Sequence, residues 1–151
     1  MRRLICVPAL LACAASALVA LTAPAAADPT FHTERVPLRP VADAPLRSGF
    51  VVDVHAEGPR IYAQERYLLS GATLGSYQVV LQVDFEPGCD GPEASVPTAQ
   101  LTTNAAGNAQ GKWTFTPADA AGLPEIVYIE WQFVQGGQAV YATNCVRVAL
   151  D

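Results

Sequence analysis

Histidine is almost missing from this chain, which has His32 and His55 and no others. So thin a supply leaves little for a Ser-His-acid relay or a histidine-rich metal centre. The serines beyond residue 27 are Ser48, Ser70, Ser76 and Ser95, and none sits in the Gly-x-Ser-x-Gly turn that raises a nucleophile above a sheet. No Cys-x-x-Cys pair is present, which removes the thioredoxin type of redox chemistry. Lysine occurs once, at Lys112. There is no internal repeat, no low-complexity tract and almost no helical periodicity, and outside the N-terminus there is no long apolar run.

The long apolar run that does exist stands at the start. Arg2 and Arg3 precede an uncharged stretch from Leu4 to Leu21, and Ala25-Ala26-Ala27 follows, just before Asp28. A positive n-region, an apolar h-region and a small-residue exit make a secretory signal peptide, expected over residues 1–27. Two alternatives compete with it. Leu10-Leu11-Ala12-Cys13 loosely resembles a lipobox, although the apolar run continues past Cys13. An uncleaved anchor would need roughly 20 strongly apolar residues, and Pro8, Pro24 and the many alanines weaken that reading. Cleavage after Ala27 would leave a secreted chain of 124 residues, enough for one domain with one core.

Without Arg2 and Arg3, seven basic residues face 14 acidic ones, a net charge of −7. That balance speaks against nucleic acid, whose phosphates are bound by basic patches, and against anionic lipid. Six arginines to one lysine, with heavy use of Ala and Pro, read as the GC-rich coding bias of a bacterium. Cys6 and Cys13 leave with the leader; Cys89 and Cys145 remain. Two cysteines in an exported chain predict one disulfide. Asp90 and Glu93 beside Cys89 would raise a thiol pKa and so oppose a reactive cysteine.

Residues 28–47 hold Pro29, Pro37, Pro40 and Pro45 and predict an extended lead-in with one edge strand near 33–38. From 48 to 151 the chain reads as short strands between turn signals. Phe50, Val52 and Val54 are expected on an apolar face, with Val51, Asp53 and His55 opposite. Further strands are predicted over 65–70, 77–85, 98–103, around Trp113 and Phe115, over 125–134 and from Val140 to Leu150. Thr116 and Pro117 suit the start of one helical turn, which Gly122 would end. Gly136-Gly137 is a two-residue hairpin signal, since both positions take positive φ readily. Counting outward from that turn places Tyr141 opposite Gln132 and Cys145 opposite Tyr128, on the outer face. The disulfide should then pin loop 88–97 to its own sheet. The run Gly71–Val79, a Gly-rich turn feeding a Tyr-led strand, resembles immunoglobulin-like and fibronectin-type modules. The expected fold is all-β, a single immunoglobulin-like β-sandwich of about seven strands.

Several groupings could carry chemistry. Asp53, His55 and Glu57 alternate on one strand; Asp53 and His55 could share one ion, but the outer two would be about 13 Å apart, too far for all three, and a solvated polar face is expected. His32 is expected in unstructured lead-in. Asp84, Glu86, Asp90 and Glu93 gather carboxylates around a Gly/Pro loop, a setting calcium favours, without EF-hand spacing. Tyr62, Tyr67, Tyr128 and Tyr141 are candidate surface aromatics, and Tyr128, Gln132 and Tyr141 form a candidate binding surface. Asp90, Pro92, Glu93 and Ser95 mark a candidate inhibitory loop, held by the disulfide and flanking prolines. No catalytic residue, cofactor or metal ligand is assigned. The expected function is a secreted, non-enzymatic binding module for an extracellular protein or glycan, without nucleic acid or membrane. The alternatives are an inhibitor of an extracellular enzyme acting through loop 88–97, and a small secreted hydrolase using paired carboxylates.

Overall fold

The computed structural model describes residues 31–41, 43–56 and 63–150. The leader expected over 1–27 lies outside the described residues, as do Glu57 and Tyr62. Among the described residues ten strands are formed: β1 (Phe31–Pro37), β2 (Arg39–Pro40), β3 (Ser48–Ala56), β4 (Ala63–Ser70), β5 (Ser76–Asp84), β6 (Ala94–Thr102), β7 (Ala109–Phe115), β8 (Ile126–Gln135), β9 (Gln138–Ala142) and β10 (Val146–Ala149). They make two antiparallel sheets, consistent with a β-sandwich. One has the order β1-β3-β4-β7; the other runs β2-β9-β8-β5-β6, with β10 also on β8. Among the described residues there is no helix, so none is long and apolar enough to cross a membrane.

The strands with the clearest alternation build the core. Tyr77, Val79, Leu81 and Val83 of β5 and Val127, Ile129, Trp131 and Phe133 of β8 all point inward and are buried. They meet Val51, Tyr67 and Leu69 of the other sheet, and Tyr67 reaches across to pack edge-on against Phe133, ring centroids 6.0 Å apart. Phe85, expected to continue the β5 stripe, lies past the strand end and is exposed.

The proline-rich lead-in serves both sheets. β1 pairs with β3, the chain crosses at buried Leu38, and β2 pairs with β9. Pro37 and Pro40 fall on edge strands, where a missing N–H breaks no ladder. His32 therefore lies in a strand, opposite His55 in register.

β3 reverses the expected sidedness. Val51 and Asp53 face inward, 0% and 3% exposed, while Phe50, Val52 and Val54 are half-buried on the outer face. Two contacts account for this. Val51 stands opposite Tyr67, whose ring belongs to the core. The Arg35 guanidinium sits 3.8 Å above the Phe50 ring and shields that aromatic outside.

The C-terminal hairpin also departs from a simple count. Gly136 and Gly137 take φ of 59° and 82°, as the turn requires. Beyond them Val134 pairs with Ala139 but Phe133 pairs with Tyr141, so Val140 is an extra residue. This bulge turns Tyr141 inward. The last strand is split in two. β9 ends at Ala142, Thr143 holds Trp131 through N–H to carbonyl (3.0 Å) and through Oγ1 accepting from the Trp131 N–H (3.1 Å), and β10 then resumes on β8 with Arg147 opposite Tyr128.

The segment 117–124 forms successive turns. The Thr116 carbonyl accepts from Asp119 N (2.9 Å) and Ala120 N (3.3 Å), and Asp119 Oδ2 accepts from Thr116 N (2.7 Å) and Oγ1 (2.6 Å). Pro124 follows Gly122 closely and stops propagation.

Between β6 and β7, Asn104 Oδ1 accepts from Ala106 N (2.9 Å) and Asn108 N (3.0 Å). Gly107, at φ +72°, offers its carbonyl to Ala72 N, and a Cβ there would lie 2.4 Å from the Ala72 carbonyl oxygen. Gly107→Ala should cost about 2 kcal/mol or more. Urea unfolding checks this; a change within about 0.5 kcal/mol would contradict it.

Candidate functional site

The loop between β5 and β6 is fixed by groups at both its ends. Asp84, the last residue of β5, is buried. Its Oδ1 accepts from Glu86 N (2.9 Å) and its Oδ2 from Gly91 N (3.2 Å), while Glu93 Oε2 accepts from Phe85 N (3.0 Å). The Glu86 and Gly91 N–H groups hold the Asp84 carboxyl below the ordinary aspartate range. Cys89 is bonded to Cys145, 56 positions further along the chain, with Cα atoms 5.7 Å apart. Cys89 also has φ 55°, among the described residues the one non-glycine in the left-handed region, a conformation costing about 1–2 kcal/mol. Cys89 lies in the β5–β6 loop and Cys145 in the link between β9 and β10, both connections of the six-stranded sheet, so the bridge fastens a loop to its own sheet and does not cross the core. The β10 register puts Arg147, not Cys145, opposite Tyr128.

The loop is shorter than its sequence implies. Ala94–Pro97 belong to β6, and the Ser95 hydroxyl donates to Gln82 Oε1 within the sheet. The projecting part is 85–93, where Phe85 is 41% exposed and Asp90, Pro92 and Glu93 are exposed. Asp84 and Glu93 use carboxylate oxygens on loop N–H groups. Among the described residues no three His, Cys, Asp or Glu side chains converge on a point that could hold a metal.

The expected Tyr128–Gln132–Tyr141 surface is not assembled. Tyr141 is fully buried. Its hydroxyl donates to the Pro45 carbonyl (2.7 Å) and accepts from Thr73 N (3.0 Å), and its ring lies 5.7 Å from that of Tyr77. The extra residue Val140 is the cause. Tyr67 is likewise a core residue. Tyr128 and Gln132 keep the outer face, Tyr128 flanked by Asp84 and Arg147, and Gln132 bonded to Glu130 (2.9 Å) and Gln82 (3.3 Å).

The polar face expected at Asp53 is instead interior. Asp53 and Glu65 are direct cross-strand partners, each 3% exposed. The Tyr67 hydroxyl lies between Glu65 Oε2 and Thr98 Oγ1, the latter at 2.9 Å. Its one proton serves only one of them. With Glu65 ionised, Tyr67 donates to its carboxylate; with Glu65 protonated the chain runs the other way, Glu65 to Tyr67, Tyr67 to Thr98, and Thr98 to the Val79 carbonyl (3.4 Å). Burial, the largest influence, and the Asp53 charge push the Glu65 carboxyl up to about 7. Tyr67 and the Trp131 indole act the other way; the indole N–H favours the carboxylate without reaching hydrogen-bond geometry. Burial, then the Glu65 charge, raise the Tyr67 hydroxyl far above its usual range. The carboxyl pair borders a cavity of about 40 Å³ lined otherwise by apolar side chains such as Leu81, Val83 and Ile129. That space has room for about a water or two. Sequence reading missed Glu65, yet the signal is present: it alternates with Tyr67 and Leu69 along β4.

No protein-family model, curated protein or solved structure matches this chain.

Two outcomes follow. The folded chain holds a proton on Glu65 that the unfolded chain releases near 4.5. The stability this gives is complete below about 4.5 and lost as pH rises through about 7, by about 3 kcal/mol. Asp84 and Asp119 act in a separate window, losing their contribution as pH falls below the ordinary aspartate range. Unfolding free energy should thus fall between about pH 4.5 and pH 7 and level off above, and Glu65→Gln should flatten that slope; an unchanged slope would refute the assignment. Replacing both Cys89 and Cys145 by serine should lower stability by up to about 4 kcal/mol, read as a lower urea midpoint.

Proposed function

We propose that this chain is a secreted, non-enzymatic binding module on an immunoglobulin-like sandwich, and that loop 85–93 makes its contact with an extracellular protein. The observation carrying this is the loop's fixation before any partner arrives. The disulfide, two N–H bonds to Asp84 and one to Glu93 hold its backbone. A contact already in its bound shape loses less entropy on association. Phe85 supplies an exposed aromatic anchor of the kind that dominates protein interfaces, with Glu86, Asp90 and Glu93 as an acidic rim. An extracellular enzyme is one partner such a loop could occupy, which makes inhibition the second form of this reading.

Oxidised protein immobilised as bait tests it against culture fluid from the native organism. A protein enriched by the wild type should be lost from Phe85→Ala bait, with affinity reduced at least tenfold, and unaffected by Gln132→Ala on the outer sheet face. If that protein is a protease, titrating the bait into its assay distinguishes inhibition from simple binding. Equal capture by wild type and Phe85→Ala would move the contact elsewhere on the molecule.

A further inference from the structure

We propose that the outer face of the four-stranded sheet binds an acidic polysaccharide through Arg35, Arg66 and Lys112. These residues lie in one cross-strand row: Arg35 is opposite Val52, Val52 opposite Arg66, and Arg66 opposite Lys112. With neighbouring strands about 4.8 Å apart, the row spans about 14 Å across the sheet. All three cations are exposed. No Asp or Glu takes an outward position in the paired registers of these four strands, although the chain as a whole is acidic. The acids of the same strands take the opposite parity: Asp53 and Glu65 are buried, and Glu34, in register with Asp53 on the edge strand, is exposed. Alternation has sorted the two signs onto opposite sides of one sheet.

Arg66 and Lys112 also stand directly opposite each other, where like charges cost stability. An anion bridging them removes that cost. The surface between them is an open groove of about 430 Å³ that Gln110 also lines, and a second groove of about 440 Å³ runs beside Arg35 and Phe50. Arg35 is held in place by stacking over the Phe50 ring. A planar guanidinium already fixed in position suits the two oxygens of a carboxylate. Gln64 and Gln110 are exposed on the same face and can bond sugar hydroxyls. Three cations spread among amide and apolar side chains fit carboxylates separated by sugar rings better than the dense charge of a phosphate polymer or nucleic acid. This site shares no residue with loop 85–93.

The test uses the purified, oxidised protein with polygalacturonate as the probe. Wild type should bind it saturably at low salt and lose binding as salt rises. R66Q with K112Q together should weaken binding at least tenfold while the thermal midpoint holds or rises. R147Q, on the other sheet, should bind as wild type does. Absence of wild-type binding at low salt would overturn the proposal, as would a double variant within twofold of wild type or equal binding to neutral dextran. Binding to long-chain polyphosphate but not to polygalacturonate would overturn the carboxylate assignment. Concentration-dependent dimerisation abolished by R66Q/K112Q, without glycan binding, would assign the face to a second copy of the chain.

Discussion

The inward side of β8 is the surface on which the rest of the sandwich closes. Val127, Ile129, Trp131 and Phe133 alternate along it without interruption, and β5 lines one flank while β9 and β10 share the other. Everything opposite must present a face that fits this apolar ridge. That requirement sets Tyr67 against Phe133, fixes which side of β4 is buried, and so draws Glu65 and its partner Asp53 inside. The buried carboxyls are a consequence of parity: a strand that must bury Tyr67 and Leu69 also buries whatever lies two residues earlier. Hydrogen bonding with Tyr67 and retention of a proton offset the desolvation of Glu65.

The all-β character, the strands β5 and β8, the glycine hairpin and the cysteine pairing were legible in the sequence because each rests on a local rule. Alternation, paired positive-φ residues and compartment chemistry need no knowledge of the other sheet. The errors arose where a local rule met a non-local constraint. Phe50, Val52 and Val54 form the more apolar side of β3, yet the register with β4 turns Val51 and Asp53 inward. Arg35, distant in sequence, makes that tolerable by covering Phe50. Tyr141 was misplaced by one inserted residue, Val140, for which the sequence carries no turn signal. The prolines of the lead-in disfavour interior strands, but they leave edge strands open, and the lead-in takes one on each sheet.

The surface is sorted as clearly as the core. Carboxylates collect on loop 85–93 of the six-stranded sheet, and three cations line up outside the four-stranded one. A net charge reports only the difference between such regions, so an acidic chain can still carry a face that attracts anions. The same alternation that builds the interior also sorts the charges, since a strand with charges at every second position sends them all to one side.

The short pairing of Arg39 and Pro40 with Ala142 and Tyr141 joins segments about a hundred residues apart. As the chain emerges from a ribosome or a translocation pore, β2 has no partner until nearly all that follows has appeared. The four-stranded sheet, complete once residue 115 is out, can assemble first and wait. The six-stranded sheet, begun by the β5–β6 hairpin, is completed only when β8, β9 and β10 follow, and Cys145 arrives beside Cys89 with them. Such remote pairing makes for slow folding, and it places the oxidation of the two thiols at the end of assembly, after the strands have already chosen their neighbours.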